Sequence, residues 1–210
     1  MKSEYKPHTS RLKKVDQYIR NLFRDELPES IKYHNAEHTL HPTKGVVAVA
    51  NNLAILENIS EHDRELLIAA AYFHDVGFIR EYEKNEPTAA RMAGRILELI
   101  GYNSNEVENI QSMILATDLE VEPKTHVEKI LCDADLDNLG REDFFEMDDK
   151  LREGQRLKGK EVSDDLAWRR RTIDFMKKHK YYTEVQRKLR EEGKSKNLKK
   201  LLEMLKSLET

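Results

Sequence analysis

The chain has 210 residues, of which 39% are hydrophobic, and this is enough to form a buried core, so a wholly disordered protein is excluded. Only 8 Gly and 5 Pro are present, a scarcity of turn residues that argues against hairpin-rich β structure. A lone cysteine excludes an internal disulfide, no secretion signal is visible, and no apolar stretch is long enough to span a membrane, so we expect a cytoplasmic protein without a membrane partner.

Charge is unevenly distributed along the chain, although the net charge is only −3. Residues 1–150 carry an excess of acids, whereas Lys and Arg outnumber acids over residues 151–210. The basic residues of this second part are interleaved with Glu, which is typical of solvated helix faces. We therefore do not expect nucleic acid as a partner.

Apolar residues recur at helical spacing along most of the chain. The first stripe predicts a helix over residues 10–23, with Ser10 as its cap and a break at Pro28. The second stripe predicts a helix over residues 62–76 that ends at Gly77. Further helices are predicted from Pro87 to Gly101, from Ser104 or Asn105 to Leu115, and from the capping box of Thr125 and Glu128 to Ala134.

The last apolar stripe begins at Leu198 and continues through Leu208 on one helix face. Such a stripe is either a packing face within the fold or a dimer interface, so a homodimer stays open. No alternating strand pattern is long enough to compete with the helices. The predicted fold class is therefore all-α, a single-domain helical bundle.

Histidines and acids gather in three places where they interrupt apolar stretches. Burying an imidazole or a carboxylate among apolar side chains is costly unless the group is paired or binds a cation. A lone histidine or an Asp-x-Asp pair is more often an ordinary core or surface feature. A metal site is therefore inferred only from the combination of the three clusters. The clusters are His34, His38 and His41; His74 and Asp75; and Asp133, Asp135 and Asp137.

The order of these clusters resembles a known signature. His38, then His74-Asp75, then Asp135, on a helical chain, resemble the H…HD…D signature of the HD-domain metal-dependent phosphohydrolases. The doublet in Phe-His-Asp-Val-Gly is the most specific part of the match. Residues 33–38 are similar to the segment that opens the domain in cyclic-nucleotide phosphodiesterases of the same superfamily.

The resemblance also suggests how the chain is organised. It covers roughly residues 30–140, which are expected to form the metal-binding HD core. Residues 1–29 are then an N-terminal helix that packs on this core. No linker rich in Pro, Gly or Ser follows the core, so residues 141–210 are expected to add helices to the same domain.

Specific roles follow from the resemblance. It implies that His38, His74, Asp75 and Asp135 are metal ligands and that Asp75 also belongs to the catalytic centre. It implies that His34 is the counterpart of the histidine that protonates the leaving group. Two imidazoles and two carboxylates form a mixed nitrogen and oxygen set that suits a divalent transition metal.

Two points remain open within this ligand set. Asp133 is the rival of Asp135 for the last position, because the two point about 160° apart on a helix and only one should reach the metal. Dinuclear members of the superfamily use extra histidines between the doublet and the last Asp, but this chain offers only His126 there. One metal ion is therefore predicted rather than two.

The predicted function is hydrolysis of a phosphate ester, of a nucleotide or a similar small molecule, by a metal-activated water. The sequence does not choose between a monoester and a diester. The metal is a single divalent ion, with Fe, Mn, Ni, Co, Zn or Mg all compatible with His and Asp ligands. The alternative is a non-catalytic helical binding module that senses a metal or a nucleotide.

Five further residues are candidates for supporting roles. Glu37 and Glu86 can orient metal-bound imidazoles, and the segment around Glu86 resembles uncharacterised bacterial members in which this Glu orients a ligand or water. The negative charge of a phosphate requires cationic partners. Lys44, Arg80 and Arg91 are the candidates for that role.

Overall fold

The computed structural model describes residues 4–159 and 164–208. Every regular element in these ranges is a helix, which confirms the all-α prediction. The α-helices are α1 (Ser10–Glu26), α2 (Ala36–Leu40), α3 (Val46–Leu56), α4 (Glu61–Phe73), α5 (Asn85–Ile100), α6 (Ser104–Leu115), α7 (His126–Asp135), α8 (Phe144–Leu157), α9 (Asp165–Lys178) and α10 (Glu184–Leu208). Two 3-10 turns, Val76–Ile79 and Leu136–Gly140, lie between them. In the described chain, no helix has both the length and the apolar character needed to cross a membrane.

The described chain divides into two compact units, one up to Asp135 and one from Leu136 onward. The first unit contains nearly all of the predicted core over residues 30–140. The assignment of residues 141–210 to the same domain stays a prediction.

Helix α4 is the central helix of the first unit. Every residue from Leu66 to Phe73 is buried, so this helix is apolar on all sides. It contacts each of the other α-helices of the unit, α1, α2, α3, α5, α6 and α7. A polar residue at its C-terminal end is consequently held inside the unit rather than at the surface.

Local capping residues explain where most of the helices begin and end. The side chain of Thr125 accepts from the backbone N–H of Glu128, and the Glu128 carboxylate accepts from that of Thr125, as the capping box predicts. Gly101 ends α5 with a left-handed φ of 107°. At α1 the predicted cap is wrong, because Thr9 accepts from the backbone N–H of Leu12 and Ser10 is already helical.

The predicted helix over residues 62–76 ends earlier than its apolar pattern suggests. Helix α4 stops at Phe73, and a 3-10 turn follows over Val76–Ile79. Gly77 lies in this turn, and a Cβ atom added there would be 2.0 Å from the carbonyl oxygen of Asn85 on α5. The close approach of the two backbones at Gly77 determines the direction of the chain after His74. The helical spacing of apolar residues does not indicate this contact.

The second unit is built around an apolar core formed by Leu139, Phe144, Ile173, Met176 and Leu201. The leucines of the C-terminal stripe pack against this core, with Leu198, Leu202 and Leu205 partly buried. Packing within the second unit therefore accounts for most of the C-terminal leucine stripe. The homodimer stays a prediction.

Asp137, the last acid of the third cluster, has a structural role in the second unit. Its carboxylate is buried and accepts from Arg190 Nε at 2.6 Å and Nη2 at 3.1 Å, and from Gln186 Nε2 at 2.9 Å. A buried charge pair of this kind is stable only when it is well hydrogen-bonded, as it is here. The pair joins α10 to the 3-10 turn at Leu136–Gly140.

One histidine makes the stability of the second unit depend on pH. Burial, with the positive charge of Lys194 adding to it, lowers the pKa of His179 to about 4. In the unfolded chain a histidine titrates near pH 6.5, so at lower pH the unfolded state takes up a proton that the folded state does not bind. The contribution of His179 to the free energy of unfolding is therefore complete above pH 6.5 and is lost as the pH falls from about 6.5 to about 4.

We expect this effect to be measurable in urea unfolding at two pH values. Allowing for the partial exposure of the ring, His179 should lower the free energy of unfolding by about 1 kcal/mol between pH 7 and pH 5. The His179→Gln variant should lack that part of the pH dependence. Equal pH dependence in the wild-type protein and the variant would contradict the assignment.

Candidate metal centre

His38 is positioned by the short helix α2. The side chain of Asn35 caps this helix, accepting from the backbone N–H groups of Glu37 and His38. His34 therefore precedes the helix, and His34 and His38 do not share a helical face. Helix α2 ends at Leu40, before Pro42.

His74 and Asp75 follow directly after α4. The side chain of His74 is 1% exposed and that of Asp75 is 7% exposed, although both are polar. His74 Nδ1 lies 2.8 Å from the carbonyl oxygen of Ala71, to which it donates its proton. This hydrogen bond orients the ring, so that Nε2 is the nitrogen that faces Asp75 and Asp135 and is available to bind a cation.

Asp135, the last residue of α7, completes a cluster with these side chains. Its Oδ1 atom lies 2.9 Å from His38 Nε2 and 3.4 Å from His74 Nε2. Asp75 Oδ2 lies 3.1 Å from His74 Nε2 and 3.5 Å from His38 Nε2. The two imidazole nitrogens are themselves 3.5 Å apart. The ligand atoms of His38, His74 and Asp135 thus all lie within 4.8 Å of one another, and Asp75 Oδ2 adjoins the two imidazole nitrogens.

Asp133 lies elsewhere. It is fully buried on α7, and the cluster of ligand atoms among the described residues is formed by His38, His74 and Asp135. Asp133 and Asp135 are two residues apart on the helix and point in nearly opposite directions. The geometry therefore favours Asp135 over Asp133 as a ligand.

The spacing and chemistry of these atoms fit a bound cation. Bonds of about 2.0 to 2.2 Å from nitrogen and oxygen to a metal place neighbouring ligands about 3.0 to 3.5 Å apart, and the distances given above for this cluster run from 2.9 to 3.5 Å. Asp75 Oδ2 is buried and makes no well-aligned hydrogen bond to a described residue, although His74 Nε2 lies 3.1 Å away. A buried carboxylate oxygen without a donor is costly, and a divalent cation removes that cost.

The pKa shifts of the side chains in the cluster also favour a bound cation. Burial lowers the pKa of His74, but the carboxylates of Asp75 and Asp135 outweigh it and raise the pKa well above its ordinary value. Burial raises the pKa of Asp135, but hydrogen bonds from His38 and His74 outweigh it and bring the pKa down. The pKa of Asp75 is lowered in the same way, chiefly by His74. The site favours two carboxylates and a positive charge between them.

His34 lies beside the cluster rather than in it. Its ring stacks on Phe78 with centroids 4.0 Å apart and an angle of 13°, and its centroid is 6.0 Å from that of His38. Burial lowers the pKa of His34 to about 4. The imidazole is uncharged at neutral pH, so it retains one N–H group to donate but is not a cation.

Two of the three predicted phosphate-binding cations are bound to other side chains. Arg80 Nη2 lies 2.7 Å from Glu26 Oε2 in an exposed ion pair. Arg91 Nη2 donates to Thr88 Oγ1 at 2.8 Å. Lys44 is exposed. The sequence offered no means of knowing that Arg80 pairs with Glu26, because those residues are distant in the chain.

The two predicted glutamates differ in their surroundings. Glu37 is exposed, and its nearest imidazole is that of His41 at 3.8 Å. Glu86 is half-buried on the first turn of α5, where it accepts from Asn85 Nδ2 at 3.0 Å. Burial raises the pKa of Glu86, and the carboxylates of Asp118, Asp75 and Asp135 raise it further. Glu86 therefore lies within electrostatic reach of the cluster.

Sequence reasoning missed one group that shapes the site, the backbone carbonyl of Ala71 that orients His74. No residue type signals this contact; only the three-residue spacing within a helix does. Phe78, on which His34 stacks, was visible only as part of the apolar context of the doublet.

A family comparison agrees with this geometry. Residues 35–137 match the family model described as the HD domain. The chain carries an HD domain. The matched range contains all four clustered side chains, and the HD-domain superfamily is one of metal-dependent hydrolases whose domains bind divalent metals. No curated protein and no solved structure matches the chain.

Proposed function

We propose that this HD-domain protein hydrolyses a phosphate ester of a small molecule, a nucleotide or a compound like it. The observation that carries the proposal is the meeting of four ligand atoms from His38, His74, Asp75 and Asp135, all within 3.5 Å of a neighbour. Metal-dependent hydrolysis is the chemistry of the superfamily, and the choice of a phosphate ester follows from the resemblance in sequence.

These four side chains would hold one divalent cation. When bound, such a cation lowers the pKa of a coordinated water and neutralises charge on a phosphoryl oxygen. The hydrogen bond between His74 and Ala71 fixes one imidazole before the cation arrives, so little order has to be gained on binding. Burial of the cluster keeps solvent from competing with the ligands.

His34 is proposed to act on the leaving oxygen. Its uncharged ring carries one N–H group, and stacking on Phe78 holds that ring in place. As negative charge develops on the leaving oxygen, the N–H group would pass its proton to that oxygen while the other ring nitrogen accepts the proton released by the attacking water, so that the ring stays uncharged. Glu86 is proposed to orient a ligand or water. It is half-buried, and the carboxylates of Asp75 and Asp135 are close enough to raise its pKa.

The proposal is tested by metal analysis of the purified full-length chain, followed by assays on phosphomonoesters, phosphodiesters and nucleotides. We expect one metal ion per chain and hydrolysis that chelation removes and metal addition restores. Bound metal with no turnover on any of these compounds would contradict the hydrolase assignment and support the metal-sensing or nucleotide-sensing alternative.

The role of His34 has a separate test in the His34→Asn variant. We expect unchanged metal content and turnover lowered by about a hundredfold or more on substrates with an alkoxide leaving group. The loss should be much smaller on p-nitrophenyl esters, since p-nitrophenolate leaves without a proton. His41→Asn is the matched control and should be active on both. A loss equal for both leaving groups would contradict proton donation by His34.

A further inference from the structure

The first unit contains a cavity of about 190 Å³ whose lining includes none of the four clustered side chains. It is bounded by α1, α3 and α4, by the end of α2, and by the segment that precedes α1. A cavity of about 150 Å³ holds a benzene molecule. This cavity is therefore large enough for one ring or two small fused rings.

One wall is formed by the extended segment over residues 4–8. Tyr5 and Pro7 line the cavity, whereas the residues between and beside them are exposed, an alternation expected of an extended chain. The backbone N–H of Tyr5 donates to the carbonyl oxygen of Pro42 at 3.0 Å. At the other end Thr9 caps α1 and donates to Glu65 at 2.8 Å. The wall is fixed at both ends.

The polar part of the cavity carries no net charge. Asp16 accepts from Arg20 Nε at 3.0 and 2.9 Å and from the Tyr72 hydroxyl at 2.9 Å, so the carboxylate and the guanidinium neutralise each other. The Tyr5 hydroxyl oxygen is buried and makes no hydrogen bond of ordinary length to a described residue. Burial raises the pKa of Tyr5, against a smaller effect of a hydrogen bond with Tyr72, so this hydroxyl is neutral and keeps the capacity for a further hydrogen bond.

The remaining walls are mostly apolar, formed by Leu40, Pro42, Val47 and Ala48. His41 also lines the cavity, and its Nδ1 atom accepts from the backbone N–H groups of Thr43 and Lys44 at 3.2 Å. A charged ligand would find no unpaired counter-charge here, and its desolvation would go uncompensated. We propose that the cavity is a binding site for a small, uncharged, planar heterocycle of about nucleobase size. Its edge would hydrogen-bond to the Tyr5 hydroxyl and the Asp16–Arg20 pair, and its faces would lie against the apolar walls.

The experiment is a calorimetric titration of the full-length chain with adenine, carried out with and without chelator. We expect binding in both conditions, because the cavity contains none of the clustered metal ligands. Benzoate, a planar ring of similar size with a negative charge, should bind at least tenfold more weakly. Tighter binding of benzoate than of adenine, or no binding of adenine at millimolar concentration, would overturn the proposal.

Variants locate the binding. Tyr5→Phe removes only the hydroxyl and should weaken adenine binding about fivefold, whereas Tyr18→Phe on α1, outside the cavity lining, should leave it unchanged. Ala48→Phe fills the cavity and should weaken binding at least tenfold; if this variant does not fold, Tyr5→Phe decides. Asp135→Asn should bind adenine as well as the wild-type protein. Binding that is lost in Asp135→Asn and kept in Tyr5→Phe would place the ring at the metal centre and contradict the proposal.

Discussion

Replacing Asp135 by Asn is expected to abolish metal binding and to lower kcat/KM for phosphate-ester hydrolysis by at least about a thousandfold. The amide is a poor ligand where a carboxylate charge is required, and without the cation the pKa of the attacking water is no longer lowered. The measurement is metal content by elemental analysis, together with initial rates. Circular dichroism establishes that the variant is folded.

Asp133→Asn is the informative comparison, because the two acids lie on the same helix and the sequence left the choice between them open. Asp133 is fully buried outside the cluster, so its variant should keep the metal and its activity while losing some stability. Loss of metal in Asp133→Asn with retention in Asp135→Asn would overturn the ligand assignment.

Gly77→Ala is expected to be the most damaging substitution outside the four ligands. A Cβ atom there would lie 2.0 Å from the carbonyl oxygen of Asn85 and 3.1 Å from the backbone nitrogen of Ala89. Backbone atoms cannot rotate out of the way, so the 3-10 turn and α5 must separate, displacing Asp75. We expect a loss of about 3 kcal/mol or more in the free energy of unfolding, at the upper end of overpacking effects, and weaker metal binding.

Gly94→Ala is the matched control, since it lies on α5 as well. The Cβ atom at Gly94 meets the end of the Gln111 side chain at 2.6 Å, and that side chain is flexible. Alanine also gains about 1 kcal/mol of helix propensity over glycine, which offsets the adjustment. Urea unfolding of both variants should give a large loss for Gly77→Ala and a change within about 1 kcal/mol for Gly94→Ala. Equal losses would contradict the backbone-contact argument.

Those features of the fold that depend on residues close in the chain could be predicted from the sequence. The capping box of Thr125 and Glu128 and the helix end at Gly101 are set by hydrogen bonds and φ angles within a few residues. The apolar stripe of α4 predicts burial because each side of that helix is apolar. The end of α4 at Phe73 escaped prediction because it depends on contact with α5.

The candidate site was predictable in its membership but not in its arrangement. His38, His74, Asp75 and Asp135 were recognisable by residue type, order and family resemblance. The preference for Asp135 over Asp133 depends on which side of α7 faces α2 and α4. No local sequence pattern indicates that orientation. The low pKa of His34 arises from burial beside Phe78, which no local sequence pattern indicates.

The most direct test of the account is anomalous diffraction from crystals of the full-length chain loaded with a divalent transition metal such as Mn²⁺. The account predicts one strong peak within bonding distance of His38 Nε2, His74 Nε2 and a carboxylate oxygen each of Asp75 and Asp135. A peak held by other residues, or no peak at these four side chains in metal-saturated crystals, would contradict it.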